Sequence, residues 1–141
     1  MQNIFFFTEY IKFNLKEKNA LRRWITVSAR KEGFLIEELN YIFCSDNHLL
    51  RLNLRFLNHD EYTDIITFDH SFHKTKINGE IFISIPRVKE NAKTYKATFQ
   101  NELHRVMIHG ILHLCGYTDK TKARQSKMRS KEDYYLSLRS F

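Results

Sequence analysis

The chain has 141 residues, 43% apolar and 28% charged, with one proline and four glycines; this suits one soluble domain with a sizeable core and leaves no linker, low-complexity tract or repeat. Lys and Arg outnumber Asp and Glu by 23 to 16, a formal charge of +7, which favours a polyanionic partner without requiring one. Cys44 and Cys115 each sit in an apolar run and point to a reducing compartment. The apolar run 4–7 is too short and lacks the positive flank of a signal peptide, and no stretch has transmembrane length, so a cytoplasmic location and no membrane partner are expected.

In chain order, residues 3–8 (NIFFFT) read as a strand from their aromatic content. Leu15, Leu21, Trp24, Ile25 and Val27 suit an amphipathic helix over 15–31, with Asn14 as cap and Gly33 as stop. A second strand is expected over 38–44. Ser45 or Asp46 then caps a helix carrying Leu49, Leu50, Leu52 and Leu54. After a polar turn at 58–61, strands follow over 64–68 and 80–85, the second preceded by Asn78-Gly79, with 70–78 as a polar loop. Pro86 suits the first turn of a helix reaching about Lys96. A helix over 99–114 ends at Gly116, and a last one runs from Thr121 or Lys122 to about Leu138. The Lys-rich stretch 120–131 reads as the solvated face of that helix. The order βαβαββααα predicts an α+β fold, a single domain over 1–141 with a small mixed four-stranded sheet and about five helices.

The stretch from Ile108 to Asp119 (IHGILHLCGYTD) carries the chemistry. His109 and His113 are four apart on a helix, so their imidazoles share one face about a turn apart. Gly116 lets the chain turn back, and Asp119 can return a carboxylate over that face. Two imidazoles and a carboxylate suit Zn²⁺, with other divalent first-row ions as alternatives. Three protein ligands leave a fourth position open, the arrangement of catalytic rather than structural zinc. Two histidines at this spacing also occur by chance in ordinary helices; the glycine and the acid beyond it tip the reading toward a metal. The glutamate of the protease signature H-E-x-x-H is replaced by Gly110, which counts against peptide hydrolysis.

This segment resembles the hallmark of the YbeY family of rRNA maturation factors, H-G-x-L-H-L-x-G-Y-D-H. Further blocks follow the same family in order: Leu52-Asn53, Asp60, the run 63–68 (TDIITF), Gly79-Glu80-Ile81, Glu102-Leu103, and Met128 with Glu132. The resemblance covers about residues 40–136. It implies a zinc-dependent, single-strand-specific endoribonuclease acting in small-subunit rRNA 3′-end maturation and ribosome biogenesis. It also implies a mixed four-stranded sheet with helices, one zinc ion, and single-stranded or ribosomal RNA with ribosomal proteins as partners. His109 and His113 carry over as ligands. The family's third ligand is usually His, where this chain has Asp119, whose carboxylate also binds zinc but adds negative charge and should make the bound water less acidic. The family's RNA-contacting basic position falls at Leu57, and its proline before Thr-Asp is Tyr62. Arg55 and Arg87 are the candidate RNA contacts.

Two other function classes stay open: an assembly factor with a mainly structural zinc and an RNA- or protein-binding basic surface, and a zinc peptidase or amidase. No catalytic side chain or general base is identified. Thr63 and Asp64 read slightly better as turn caps than as cleft residues. His59, His70 and His73 read as solvated, and His104 points about 140° from the His109 face. Phe5, Phe6, Phe7, Phe43, Phe68 and Phe82 read as core rather than as base-stacking platforms. Arg22 and Arg23 read as surface charges, and Tyr117 as a packing residue beside the site.

Overall fold

Leu39, Tyr41 and Phe43 alternate along one strand, and a period of two sends all three to the same face, where each is buried. The computed structural model describes residues 3–141. Its elements are β1 (Ile4–Glu9), α1 (Lys18–Lys31), β2 (Leu35–Cys44), α2 (Asp46–Leu57), β3 (Ile65–Asp69), β4 (Lys76–Ser84), α3 (Ile85–Thr94), α4 (Phe99–Leu114) and α5 (Lys122–Ser137). The four strands form one mixed sheet in the order β1-β2-β4-β3. β1 and β2 are parallel, as are β2 and β4, while β3 runs antiparallel to β4. This is the expected α+β architecture of a four-stranded sheet with five helices.

The main core joins the sheet face bearing Leu39, Tyr41, Ile81 and Ile83 to Leu21 and Ile25 of α1, Val88 of α3, Met107 and Ile111 of α4, and Met128 and Tyr135 of α5. α2 covers part of the other face, with Leu49 and Leu52 against Cys44, Ile66, Phe68 and Phe82. Two buried hydrogen bonds lock the layers: the Tyr41 hydroxyl donates to the Met107 carbonyl at 2.9 Å, and the Trp24 indole donates to the Tyr135 carbonyl at 2.7 Å. Among the described residues no helix is long and apolar enough to cross a membrane.

Several boundaries differ from those read in the sequence. α1 starts at Lys18, after Glu17 in the left-handed region (φ 63°), so Asn14 is not its cap and Leu15 packs on the core from the preceding loop. β2 begins at Leu35 and β4 at Lys76, so Asn78 and Gly79 lie inside a strand rather than in a turn before it. Gly79 is required by crowding, since a Cβ there would stand 2.6 Å from the Phe68 carbonyl oxygen. Phe5 and Phe7 are not core residues. They lie on the edge strand and are 39% and 51% exposed, because α2 does not reach that part of the sheet. Phe43 is fully packed, as expected.

Candidate metal centre

Thr98 opens α4 by accepting a hydrogen bond from the Asn101 amide at 3.1 Å. Below it, one face of the helix is driven onto the sheet. Gly110 sits where a Cβ would meet Ile81 at 2.9 Å and Ile65 at 3.1 Å, so this turn lies directly against β3 and β4. That contact turns His109 and His113 away from the sheet, half-buried, with ring centroids 4.6 Å apart. The helix ends in a glycine-stopped turn: Gly116 has φ +102°, its amide donates to the His113 carbonyl, and the Tyr117 amide reaches back to Leu112. The reversal brings Asp119 over the two imidazoles.

The Asp119 carboxylate lies 3.6 Å from His109 Nε2 and 3.8 Å from His113 Nε2. One donor atom from each of the three residues falls within 4.8 Å of the others. Bonds of about 2.0–2.2 Å to a tetrahedral ion would set donor atoms about 3.3 Å apart, so shifts of a few tenths of an ångström, readily supplied by the 47% exposed Asp119 side chain, would bring the carboxylate to bonding reach. The donor set and its spacing fit a divalent ion. From α5, Gln125 holds the Asp119 carbonyl at 3.0 Å and Arg124 holds the Thr118 hydroxyl at 3.2 Å.

Glu132 of α5, 5% exposed, completes the orientation of the first imidazole. Its carboxylate lies 2.6 Å from His109 Nδ1 and takes a second bond of 2.9 Å from Arg105, whose other arm reaches Asp133 at 2.7 Å. With the proton on Nδ1, the Nε2 lone pair is left facing Asp119. Burial pulls the His109 pKa down, but the Glu132 bond and the charges of Glu132 and Asp119 outweigh it, and the net shift is upward. His113 shifts downward, through burial and then the neighbouring His109 charge.

Beside the ligands opens a cavity of about 420 Å³ whose lining includes Asp64, Asn91, Tyr95, Glu102, Arg129 and His109. Burial raises the pKa of both Asp64 and Glu102. Asp64 lines the cleft in addition to making the kind of local side-chain to backbone bond its sequence position suggests; Asn91 donates to it at 3.4 Å. Thr63, by contrast, bonds the nearby Ile65 carbonyl at 3.4 Å. Glu132 was visible in the sequence as part of a family block but carried no role. Its signal was an acid within the buried stripe of Met128, Tyr135 and Leu136 on an otherwise exposed helix.

The other candidates lie elsewhere. Arg87 donates to Asp46 at 2.8 Å and covers the Tyr62 ring at 5.0 Å; Arg55 lies over Phe56 at 5.4 Å. Neither lines the cavity. Leu57 is exposed at the end of α2. Arg22 donates to the Ile4 carbonyl at 2.9 Å. His104 is buried between Trp24 and Phe141, with a ring nitrogen 2.8 Å from Arg139, away from the ligand set.

The family model described as Endoribonuclease YbeY matches residues 3–139. The Endoribonuclease YbeY of Cytophaga hutchinsonii is 55% identical, covering 99% of this chain and 98% of that protein. That of Flavobacterium psychrophilum is 48% identical over 94% of each. Among solved structures, the solution structure of a Thermotoga maritima protein superposes with a TM-score of 0.66 at 30% identity, covering 95% of this chain and 87% of the other. With the family model matched over residues 3–139 and relatives matched over nearly their whole length, the chain belongs to the YbeY family.

Proposed function

We propose that residues 1–141 form one metal-dependent hydrolase domain, a zinc-dependent, single-strand-specific endoribonuclease of small-subunit rRNA 3′-end maturation. The observation that carries this reading is the convergence of His109, His113 and Asp119 on one point beside an open cavity. His109 and His113 would hold the ion by Nε2 and Asp119 by a carboxylate oxygen. A divalent ion held there supplies Lewis-acid stabilisation of charge on a phosphoryl oxygen. Glu132 fixes the tautomer and orientation of His109. Arg105, clamped between Glu132 and Asp133, keeps α4 and α5 in register around the site. Asp64, raised in pKa by burial and held by Asn91, is the carboxyl we assign to proton exchange with the attacking oxygen.

The neighbouring cavity favours a catalytic ion over a purely structural one, because structural zinc sites are closed by a fourth protein ligand. A peptidase reading is disfavoured twice: position 110 carries no glutamate, and its Cβ direction faces Ile81 and Ile65 rather than the ligands. Ribosomal RNA and ribosomal proteins are the partners this reading names. A cytoplasmic location suits the two free cysteines, whose thiols burial pushes up to about 12.

The test is cleavage of single-stranded RNA by zinc-loaded protein and by His113→Ala, with circular dichroism as a fold control. The expected result is cleavage by the first and none by a folded variant. A fully metallated protein that binds ribosomal particles but cleaves no RNA would transfer the assignment to an assembly factor.

A further inference from the structure

The cavity beside the metal ligands contains an unpaired feature. Glu102 is 5% exposed and lines that cavity, yet its carboxylate has no hydrogen-bond or ion-pair partner among the described residues. The groups that act on it electrostatically are Asp64 from the segment before β3, Arg105 on its own helix, and Arg129 and Glu132 from α5. Arg105 is already committed to Glu132 and Asp133. Among the described residues no enclosed side-chain oxygen lacks a partner, so the unpartnered Glu102 carboxylate opens into the space of the cavity. The cavity thus presents an acceptor pair awaiting a ligand that brings donors.

The rest of the lining narrows the ligand. Tyr95, at the end of α3, is 60% exposed and contributes an aromatic ring to the wall. An exposed aromatic residue beside an unpaired carboxylate is the equipment for holding a planar heterocycle by stacking and by its hydrogen-bonding edge. Among the four nucleobases only guanine offers two adjacent donors, N1–H and the N2 amino group, to a bidentate carboxylate. Adenine and cytosine offer an amino group next to an acceptor, and uracil one donor between two acceptors. Asp64 adds negative charge to the same cavity and further disfavours acceptor edges. Glu102 stands two helical turns, about 10 Å along the axis, from His109, on the order of the phosphate-to-base-edge span of one nucleotide. A shallow groove along α5 shares Gln125 and Arg129 with the cavity and carries Lys122, a path for the continuing phosphate backbone.

We propose that this cavity is a guanine subsite, with Glu102 reading the N1–H/N2 edge and Tyr95 stacking on the base, so that the nucleotide next to the scissile phosphate is preferentially guanosine. The proposal rests on the RNA-cleaving reading for its place in the reaction, but the pocket can be tested without turnover. Calorimetric titration of the protein with the four ribonucleoside 5′-monophosphates reads the base alone, because the phosphate and ribose are common to all. The expected result is tighter binding of guanosine monophosphate by about ten- to hundred-fold, the discrimination of one good bidentate pair, with inosine monophosphate, which lacks the N2 amino group, in between. Glu102→Gln, nearly isosteric, should level the four, and Tyr95→Ala should weaken all four together. Equal binding of the four by wild-type protein, or an undiminished guanine preference in folded Glu102→Gln, would overturn the proposal. Cleavage of short RNAs varied at one position separates the two claims. Guanine-selective binding without cleavage leaves the subsite standing and removes the nuclease reading. Cleavage indifferent to the base, with no nucleotide preference, does the reverse.

Discussion

His109 Nδ1 and the Glu132 carboxylate lie 2.6 Å apart, joining two residues that are 23 positions apart in the chain. The bond holds the proton on Nδ1 and presents Nε2 toward Asp119. Glu132→Gln keeps the shape of the side chain but removes its charge. It should lower zinc affinity by about 10- to 100-fold, read by competition against a chelator of known affinity. Unchanged affinity in the folded variant would show that His109 needs no such support.

Glu32, at the end of α1, accepts hydrogen bonds from Tyr117 at 2.7 Å, from Lys131 at 3.2 Å and from Tyr135. It thereby ties the bend between His113 and Asp119 to α5. Burial pushes its pKa up, but the bonds from Tyr135, Tyr117 and Lys131 outweigh this and the net shift is downward. A depressed carboxyl stabilises the fold above its ordinary value of 4.5 and loses that contribution as pH falls through the folded value. Glu32→Ala leaves three partners unsatisfied and should cost about 1–3 kcal/mol at neutral pH, measured by urea denaturation. The penalty should shrink on acidification below 4.5; a penalty constant down to pH 3 would contradict the assignment.

His104 gives an acid sensitivity of the opposite origin. Burial first, and then the Arg139 charge, lower its pKa from 6.5 to about 4. A histidine buried neutral stabilises the fold above the unfolded value and loses that contribution as pH falls toward the folded one. On the order of 3 kcal/mol should therefore disappear between pH 6.5 and about 4. The stability–pH curve of His104→Gln should be flatter in that window. A curve parallel to wild type would show that this residue is not responsible.

Gly110→Ala tests the close approach that aims the two imidazoles. The new methyl would stand 2.9 Å from Ile81 and 3.1 Å from Ile65 side-chain atoms, an overpacking worth about 1–3 kcal/mol that exceeds the roughly 0.5–1 kcal/mol Ala gains over Gly inside a helix. Thermal denaturation should show the loss, and metal affinity should fall with it as α4 is pushed off the sheet. A variant of wild-type stability would show that the helix has slack at this turn.

The convergence of His109, His113 and Asp119 is legible in the sequence because it is local: an i, i+4 pair, a glycine stop and an acid beyond it need no tertiary information. The rest of the site was not local. Asp64 lies 45 positions before His109 and Glu132 lies 23 after it, and only the packing of α5 and the segment before β3 onto α4 brings them together. Boundaries failed where a residue type had two meanings. Asn78-Gly79 is a common turn pair, but here the glycine serves the close approach of Phe68 and Leu114 within a strand. Phe5 and Phe7 have strand character without burial, because an aromatic run does not reveal which strand will be the sheet edge.

Metal content of the purified chain bears most directly on the account, with wild type measured beside Asp119→Ala and His113→Ala by elemental analysis after zinc loading and desalting. One zinc per chain is expected for wild type, with loss from both variants while their circular dichroism stays that of the folded protein. Wild-type protein that retains no stoichiometric metal, or folded variants that keep it in full, would contradict the assignment of His109, His113 and Asp119 to one ion.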